Sequence, residues 1–396
     1  MSIDYDVITV GGGLGGAALA KVLAEHGKHV LVVEREIEFK DRIRGEYLQP
    51  WGVAESQRIG LYDTLMEKCA REQPYFDLVG LGPVRDFRIT TPQRLPGLTF
   101  YHPAMQETVL DAARDAGAAI WRRAAVREVA LGELPKVSVE RDGQVRDLTA
   151  RLVVCADGRS SAGRGWGGFA TLRASPKLLG AGVLFANLSI DPEIGVMMVN
   201  PLLGRSAYLF PQGDGRVRAY LMYEHELPRL QGAGETLRFI EECVKTGIPS
   251  GNYAGARSIG PLASFDMTEN WVEHPYRAGL ALLGDAAGSS DPTWGQGLSL
   301  TLRDARVLSD NLLATDNWEH AGHEYAAERD SYFKTTITVE QWVFDLLLAR
   351  GAEADRRRER ALPLLASEPD RFPDHAISGP DLPAGEQVRQ RLFGEI

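Results

Sequence analysis

The chain has 396 residues, of which 44% are hydrophobic and 25% charged, and its formal net charge is −10. That is the composition of a globular protein long enough for two closely packed domains. The negative charge excludes non-specific binding to nucleic acid, and the lack of an apolar run of about 18 residues excludes a transmembrane helix.

The chain opens on a βαβ unit, "YDVITVGGGLGGAALAKVLAEHGKHVLVVERE" at 5–36, with a strand over 5–10, a helix over 15–26 and a strand over 29–34. Gly11, Gly13 and Gly16 fit G-x-G-x-x-G. The first glycine permits the tight turn, the second admits a pyrophosphate, and the third lets helix and strand pack closely. Glu34 ends the second strand, where a carboxylate accepts hydrogen bonds from ribose hydroxyls. The motif predicts a dinucleotide and does not choose between FAD and NAD.

A helix is predicted over 53–68, followed by short β-like runs broken by Gly and Pro over 75–101. Another helix over 104–116 stops at Gly117. The strands "VREVAL", "KVSVERDG" and "ARLVVCADG" come next, and Cys155 in the last reads as a buried strand residue. The three cysteines Cys69, Cys155 and Cys243 lie far apart, which suits a reducing cytoplasm and gives neither a disulfide framework nor a zinc site. The strand of "LVVCADGRSSAGR" ends at Asp157-Gly158, with Arg164 just beyond. The pattern from 177 to 223 is β-rich, a helix follows over 235–245, and "AGLALLGDAAG" then returns to a buried strand ending at Gly284-Asp285. A long helical segment begins near Gly297. The cluster Arg356, Arg357, Arg358 and Arg360, flanked by Glu353, Asp355 and Glu359, reads as a solvated helix face. The last 25 or so residues, rich in Pro, Asp and Gly, are expected to be extended.

The order and spacing of the glycine turn, the Asp157-Gly158 stretch and the Gly284-Asp285 loop resemble the FAD-dependent monooxygenases of the aromatic hydroxylase class, over roughly residues 5–315. The stretch "DRIRGEYLQPWGVAESQRIGL", 41–61, is similar to a segment of para-hydroxybenzoate hydroxylase and squalene epoxidase. The resemblance implies an α/β fold: a Rossmann-like FAD-binding domain (1–74, 102–176 and 271–315) interrupted by a β-sheet substrate domain (75–101 and 177–270), with C-terminal helices and an extended tail over 316–396. It also implies a cofactor set. Gly11, Gly13, Leu14, Gly15, Gly16, Glu34, Arg35 and Val126 would serve the adenine half of FAD, and Arg44, with Arg42 in reserve, the phosphates. Asp157, Gly158 and Arg164 would serve FAD and NAD(P)H, and Gly284, Asp285, Pro292, Gly295, Gln296, Gly297 and Leu298 the ribityl chain and flavin ring. His102 stands where many members carry Arg or Gln, with Gln106 one turn on, and Trp294 is a bulky insert in the P-x-x-G-x-G loop.

The activity implied is that of a single-component enzyme. NADH or NADPH reduces FAD, O2 forms a flavin hydroperoxide, and a small hydrophobic or aromatic substrate is hydroxylated or epoxidised. Tyr47 and Gln49 would lie beside the flavin ring and Pro292 in its loop, while Tyr208, Tyr220, Tyr223 and His225 are either substrate-facing or ordinary sheet residues. The absence of a W-x-W-x-I-P stretch ranks a flavin halogenase lower. A prenyl-type flavin reductase and a redox-sensing flavoprotein are the other readings. No metal is expected. The chain should work in the cytoplasm as a monomer or homodimer.

Overall fold

The computed structural model describes residues 3–41, 43, 45–80 and 82–396. Its first sheet is built from near-continuous runs of Val, Ile and Leu, as a sheet covered on both faces requires. Leu280–Leu282, Gln144–Cys155, Tyr5–Val10, Val30–Val33 and Ala119–Trp121 lie side by side and parallel, with antiparallel Tyr276–Arg277 at one edge. The register pairs Val10 with both Cys155 and Val33, and Cys155 with Leu282. The loops that follow these strands therefore leave the sheet at one level, along its carboxyl edge, where open α/β sheets bind ligands.

The helices Leu14–Glu25, His102–Asp115 and Gly297–Ala314 pack on one face of this sheet, burying Ala17, Leu19, Leu23, Val109, Leu300 and Leu308. A second, antiparallel sheet runs Arg257–Ser258, Leu178–Ala186, Arg216–Glu224, Arg205–Gly213 and Ile194–Asn200. Tyr75–Val79 joins it in parallel alongside Ile194–Asn200 and carries Arg85–Asp86 at its edge. A mixed α/β architecture with a helical C-terminus results. The predicted helix over 53–68 is two, Pro50–Arg58 and Tyr62–Lys68, because the chain turns at Gly60, whose φ is +67°.

The 30-residue helix Trp318–Leu347 binds the two parts together. Tyr325, Tyr332 and Phe333, up to its midpoint, belong to the core of the parallel sheet. Val339, Val343 and Leu347 in its second half pack with Met197, Tyr208 and Trp294. The helix is anchored by Asp304, fully buried in the helix Gly297–Ala314. Asp304 Oδ1 accepts from the Tyr332 hydroxyl at 2.5 Å, and Oδ2 accepts from the Gly284 amide at 2.8 Å and from Arg329 Nε at 3.2 Å.

Two expectations need correction. The final residues are not extended: His375–Ser378 and Glu386–Leu392 are helical, and Leu392 and Phe393 are buried. Their apolar residues find a ready surface on the second half of the long helix and on Ala361. The arginine cluster is solvated at Arg356 and Arg360, but Arg358 is buried and donates to the carbonyls of Leu346 and Ala349, closing off the C-terminus of the long helix.

Asp304→Ala leaves the Arg329 charge buried without its carboxylate, and a broken buried pair costs about 3–5 kcal/mol. The variant is expected to unfold at a clearly lower urea midpoint than the wild type. An unchanged midpoint would show that the network is not an anchor.

Candidate functional site

The carboxyl edge of the parallel sheet and one face of the antiparallel sheet enclose a cavity of about 680 Å³. The glycine turn forms its first wall. Gly11 has φ +101°, and a Cβ there would lie 2.5 Å from the Ala156 carbonyl oxygen; at Gly16 it would lie 2.0 Å from that of Gly11. Packing thus demands both glycines. Gly13 differs, since a Cβ there meets only the end of Gln106, at 3.2 Å, and Gly297 has no atom within 4 Å of that position. Both leave space on the cavity side. The helix Leu14–Glu25 starts at Gly13 with no side-chain cap and no acid in its first turn, so its leading amides suit an anion. Glu34 is buried; its two oxygens accept from the Gly12 and Glu36 amides, each at 2.7 Å, and each keeps a lone pair.

The second and third loops complete the edge. Asp157 Oδ2 accepts from the Ala162 amide at 2.7 Å and from Gly163 at 3.4 Å, while Oδ1 is buried without a partner. Arg164 stands behind the wall. Its guanidinium donates to the carbonyls of Asp285 at 2.7 Å and Ala286 at 2.8 Å and to Asn270 Oδ1, so it holds the Gly284-Asp285 loop from outside the cavity. Gly295 has φ +68° and ends the turn Pro292–Trp294. Gln49 Nε2 and Gln296 Nε2 both donate to the Trp294 carbonyl, at 3.3 and 2.9 Å, and fix that turn. His102 Nδ1 lies 2.7 Å from the Gly45 carbonyl.

The antiparallel sheet supplies an apolar wall of Phe76, Leu78, Met197, Phe210, Met222 and Phe265. Tyr47 stacks on Phe210 with centroids 5.0 Å apart, and Tyr208 donates to the Thr293 carbonyl at 3.0 Å. Tyr220 donates to the carboxylate of Glu46, which also faces Arg218 Nε at 3.1 Å. Burial pushes the Glu46 carboxyl up, against the charge of Arg218.

Of the residues singled out from the sequence, Gly11, Gly13, Leu14, Gly15, Glu34, Arg35, Tyr47, Gln49, His102, Gln106 and Val126 line this cavity. So do Asp157, Gly158, Tyr208, Tyr220, Gly284, Asp285, Pro292, Gly295, Gln296, Gly297 and Leu298. Gly16, Arg164, Tyr223 and His225 do not. Side chains alternate along a strand, so Tyr220 and Met222 face the cavity while Tyr223 is turned to the opposite core, where its hydroxyl accepts from the Leu230 amide at 3.0 Å. His225 lies beyond the end of that strand. Arg42 and Arg44 fall outside the described residues.

Glu46, Asp374 and Glu340 are among the cavity residues that escaped the sequence reading. Glu46 sits inside the quoted 41–61 stretch. Asp374 belongs to 372–377, a segment that lines the cavity only because the C-terminus folds back. Glu340 had a usable signal: it is the single acid in the helical stripe Thr336, Val339, Glu340, Val343, Leu347. Its Oε2 accepts from the Asp291 amide at 3.2 Å, and its Oε1 is buried without a partner. Burial first, then the charges of Asp291 and Glu269, push this carboxyl well above the usual range.

Residues 4–337 match the model of the FAD binding domain family. The chain is 27% identical to digeranylgeranylglycerophospholipid reductase 2 of Methanopyrus kandleri over 335 residues, 78% of this chain and 76% of that one. It is 26% identical to 6-methylpretetramide 4-monooxygenase of Streptomyces rimosus over 402 residues, 92% of this chain and 89% of that one. The match to mouse squalene monooxygenase, 25% identical, takes in 77% of this chain but only 54% of the relative's length. Among solved structures, p-nitrophenol 4-monooxygenase of Pseudomonas putida superposes with a TM-score of 0.76 at 20% identity, covering 100% of this chain and 98% of the other.

Gly13→Ala is expected to fold with nearly wild-type thermal stability yet retain at least ten-fold less FAD, because the added methyl meets only the end of Gln106 at the cavity wall and disturbs no core packing. Wild-type FAD content would refute this. Glu340→Gln tests the buried acid. Below the ordinary carboxyl pKa both states of the wild type are protonated; above it only the unfolded state ionises, so stability is lost as pH rises toward the raised folded value. Each pH unit in that window is worth about 1.4 kcal/mol. The variant should therefore match the wild type near pH 4.5 and melt higher at pH 8, by at least about 2–4 °C.

Proposed function

The chain belongs to the FAD binding domain family, and from that premise we propose that it is a single-component flavin monooxygenase, using NADH or NADPH and O2 to hydroxylate or epoxidise a small hydrophobic, aromatic molecule. One observation carries the reading: the loops after three parallel strands share a single cavity with the apolar face of the antiparallel sheet. A cofactor bound along the sheet edge would therefore abut a chamber suited to an apolar substrate.

Bound FAD supplies electron transfer and oxygen activation. The residues do the rest. The amides at the start of Leu14–Glu25, below the opening left by Gly13, would hold the pyrophosphate, and Glu34 the ribose hydroxyls. Arg35, Val126, His102 and Gln106 would flank the cofactor. Asp285 would bind the ribityl chain and Asp157 the approach of the nicotinamide cofactor. Pro292 and the backbone from Gly295 to Leu298 would lie against the flavin ring. Tyr47, Tyr208 and Phe210 would orient the substrate, and Phe76, Met197 and Phe265 would keep water from the reacting edge. The net charge of −10 speaks against a nucleic-acid partner. Among the described residues no helix is long and apolar enough to cross a membrane; we place the enzyme in the cytoplasm, as a monomer or homodimer.

The similarity to a prenyl-lipid reductase favours a second reading, in which the reduced flavin saturates a double bond without oxygen. Purified protein should show a yellow flavin spectrum and oxidise NADH or NADPH faster when phenols, alkenes or polycyclic aromatics are added, with oxygenated product by mass spectrometry. Anaerobic formation of a saturated product would select the reductase. Asp285→Ala is expected to lose FAD at least ten-fold, and equal FAD content in variant and wild type would remove that residue from the cofactor site.

A further inference from the structure

The C-terminal segment, beyond the residues that match the family model, places an acid against the cavity's apolar side. Among the described residues, Arg85 is the one cation that the antiparallel sheet contributes to the cavity wall. Its guanidinium is already paired. Its Nη1 donates to Asp374 Oδ1 at 2.6 Å and its Nη2 to Asp374 Oδ2 at 3.2 Å, a two-point pair that satisfies the guanidinium fork. Asp374 is itself tied down, because its carboxylate also accepts from the Ser378 hydroxyl. The segment around it is fastened to both halves of the protein. Gln93 Nε2 donates to the Ser378 carbonyl at 2.8 Å, Gln296 Nε2 to the Ala376 carbonyl at 2.8 Å, and Arg303 pairs with Asp381. The side chains of Arg85 and Asp374 remain 30% and 25% exposed, so a ligand in the cavity reaches them. The other cavity-lining guanidinium and ammonium groups, Arg35, Lys40, Arg127 and Arg159, come from the parallel-sheet part.

We infer that the Arg85–Asp374 pair sets the substrate class: the chamber takes neutral hydrophobic molecules and rejects carboxylates, because the C-terminal segment neutralises the one cation that would hold an anion there. The inference rests on the monooxygenase reading of the cavity and narrows it. A carboxylate entering the chamber loses its hydration and meets a guanidinium already paired with Asp374. A phenol or alkene of the same shape loses far less. Freeing Arg85 reverses the balance, since its planar fork then matches an incoming carboxylate.

The test uses FAD-loaded protein titrated with 2-naphthol and with 2-naphthoate, equal in shape and different in charge, followed by the change in flavin absorbance. Wild type should bind the naphthol at least ten-fold more tightly. Asp374→Ala should erase that preference through tighter naphthoate binding, and the Arg85→Ala/Asp374→Ala double variant should restore it. Asp374→Asn, which keeps the shape, gives the same comparison should the alanine variant fold poorly. Equal or tighter naphthoate binding by wild type overturns the inference, as does an unchanged ratio in FAD-loaded Asp374→Asn, or a holoenzyme that binds neither probe. A purified protein without flavin is a different failure, that of the monooxygenase reading itself.

Discussion

A single buried carboxylate ties the sheet edge to the C-terminal half of the molecule. Asp304 takes a hydrogen bond from the Gly284 amide, and so fixes where the third strand-end loop begins. It takes two more from Tyr332 and Arg329, and so fixes the rotation of the long helix. Arg329 is almost fully buried, a position that a cation occupies only with a partner. The loop of Asp285 and the helix that carries Glu340 are thus set by one residue that touches neither the cavity nor solvent.

From that anchor the two halves of the cavity follow. The parallel sheet offers polar loop backbone and helix amides, the chemistry of phosphate and sugar binding. The antiparallel sheet offers aromatic and aliphatic side chains with their polar atoms turned to one another, as in Tyr220 with Glu46 and Tyr208 with the Thr293 carbonyl. A low-dielectric chamber next to a polar groove is what oxygen chemistry on a bound cofactor requires, because water must stay out while charge is handled nearby. The long helix spans both cores, and the C-terminal segment is clasped to both parts, so the chamber is closed by packing on more than one side.

The parallel sheet was legible because its signals are local. A run such as "VITV" before Gly11, or "LALL" before Gly284, declares a buried strand and its end within a few residues, and strand ends of one parallel sheet share an edge. The aromatic side of the cavity was half legible. That Tyr208, Tyr220 and Tyr223 lie on strands follows from composition; which of them face the cavity depends on pairing register, which shifts a whole strand's side chains by one residue.

Glu46, Glu340 and Asp374 were out of reach for another reason. Each gains its meaning from a partner far along the chain: Glu46 from Arg218, Glu340 from Asp291, Asp374 from Arg85. The amino-acid order determined by itself the βαβ unit, the strand-end loops and the apolar character of the second sheet, because periodicity and glycine stereochemistry act over short stretches. Only the folded chain decided which charges are buried, which are already paired, and that a tail rich in Pro and Gly turns back to wall the cavity, because desolvation and ion pairing depend on distances in space and not on distance along the backbone.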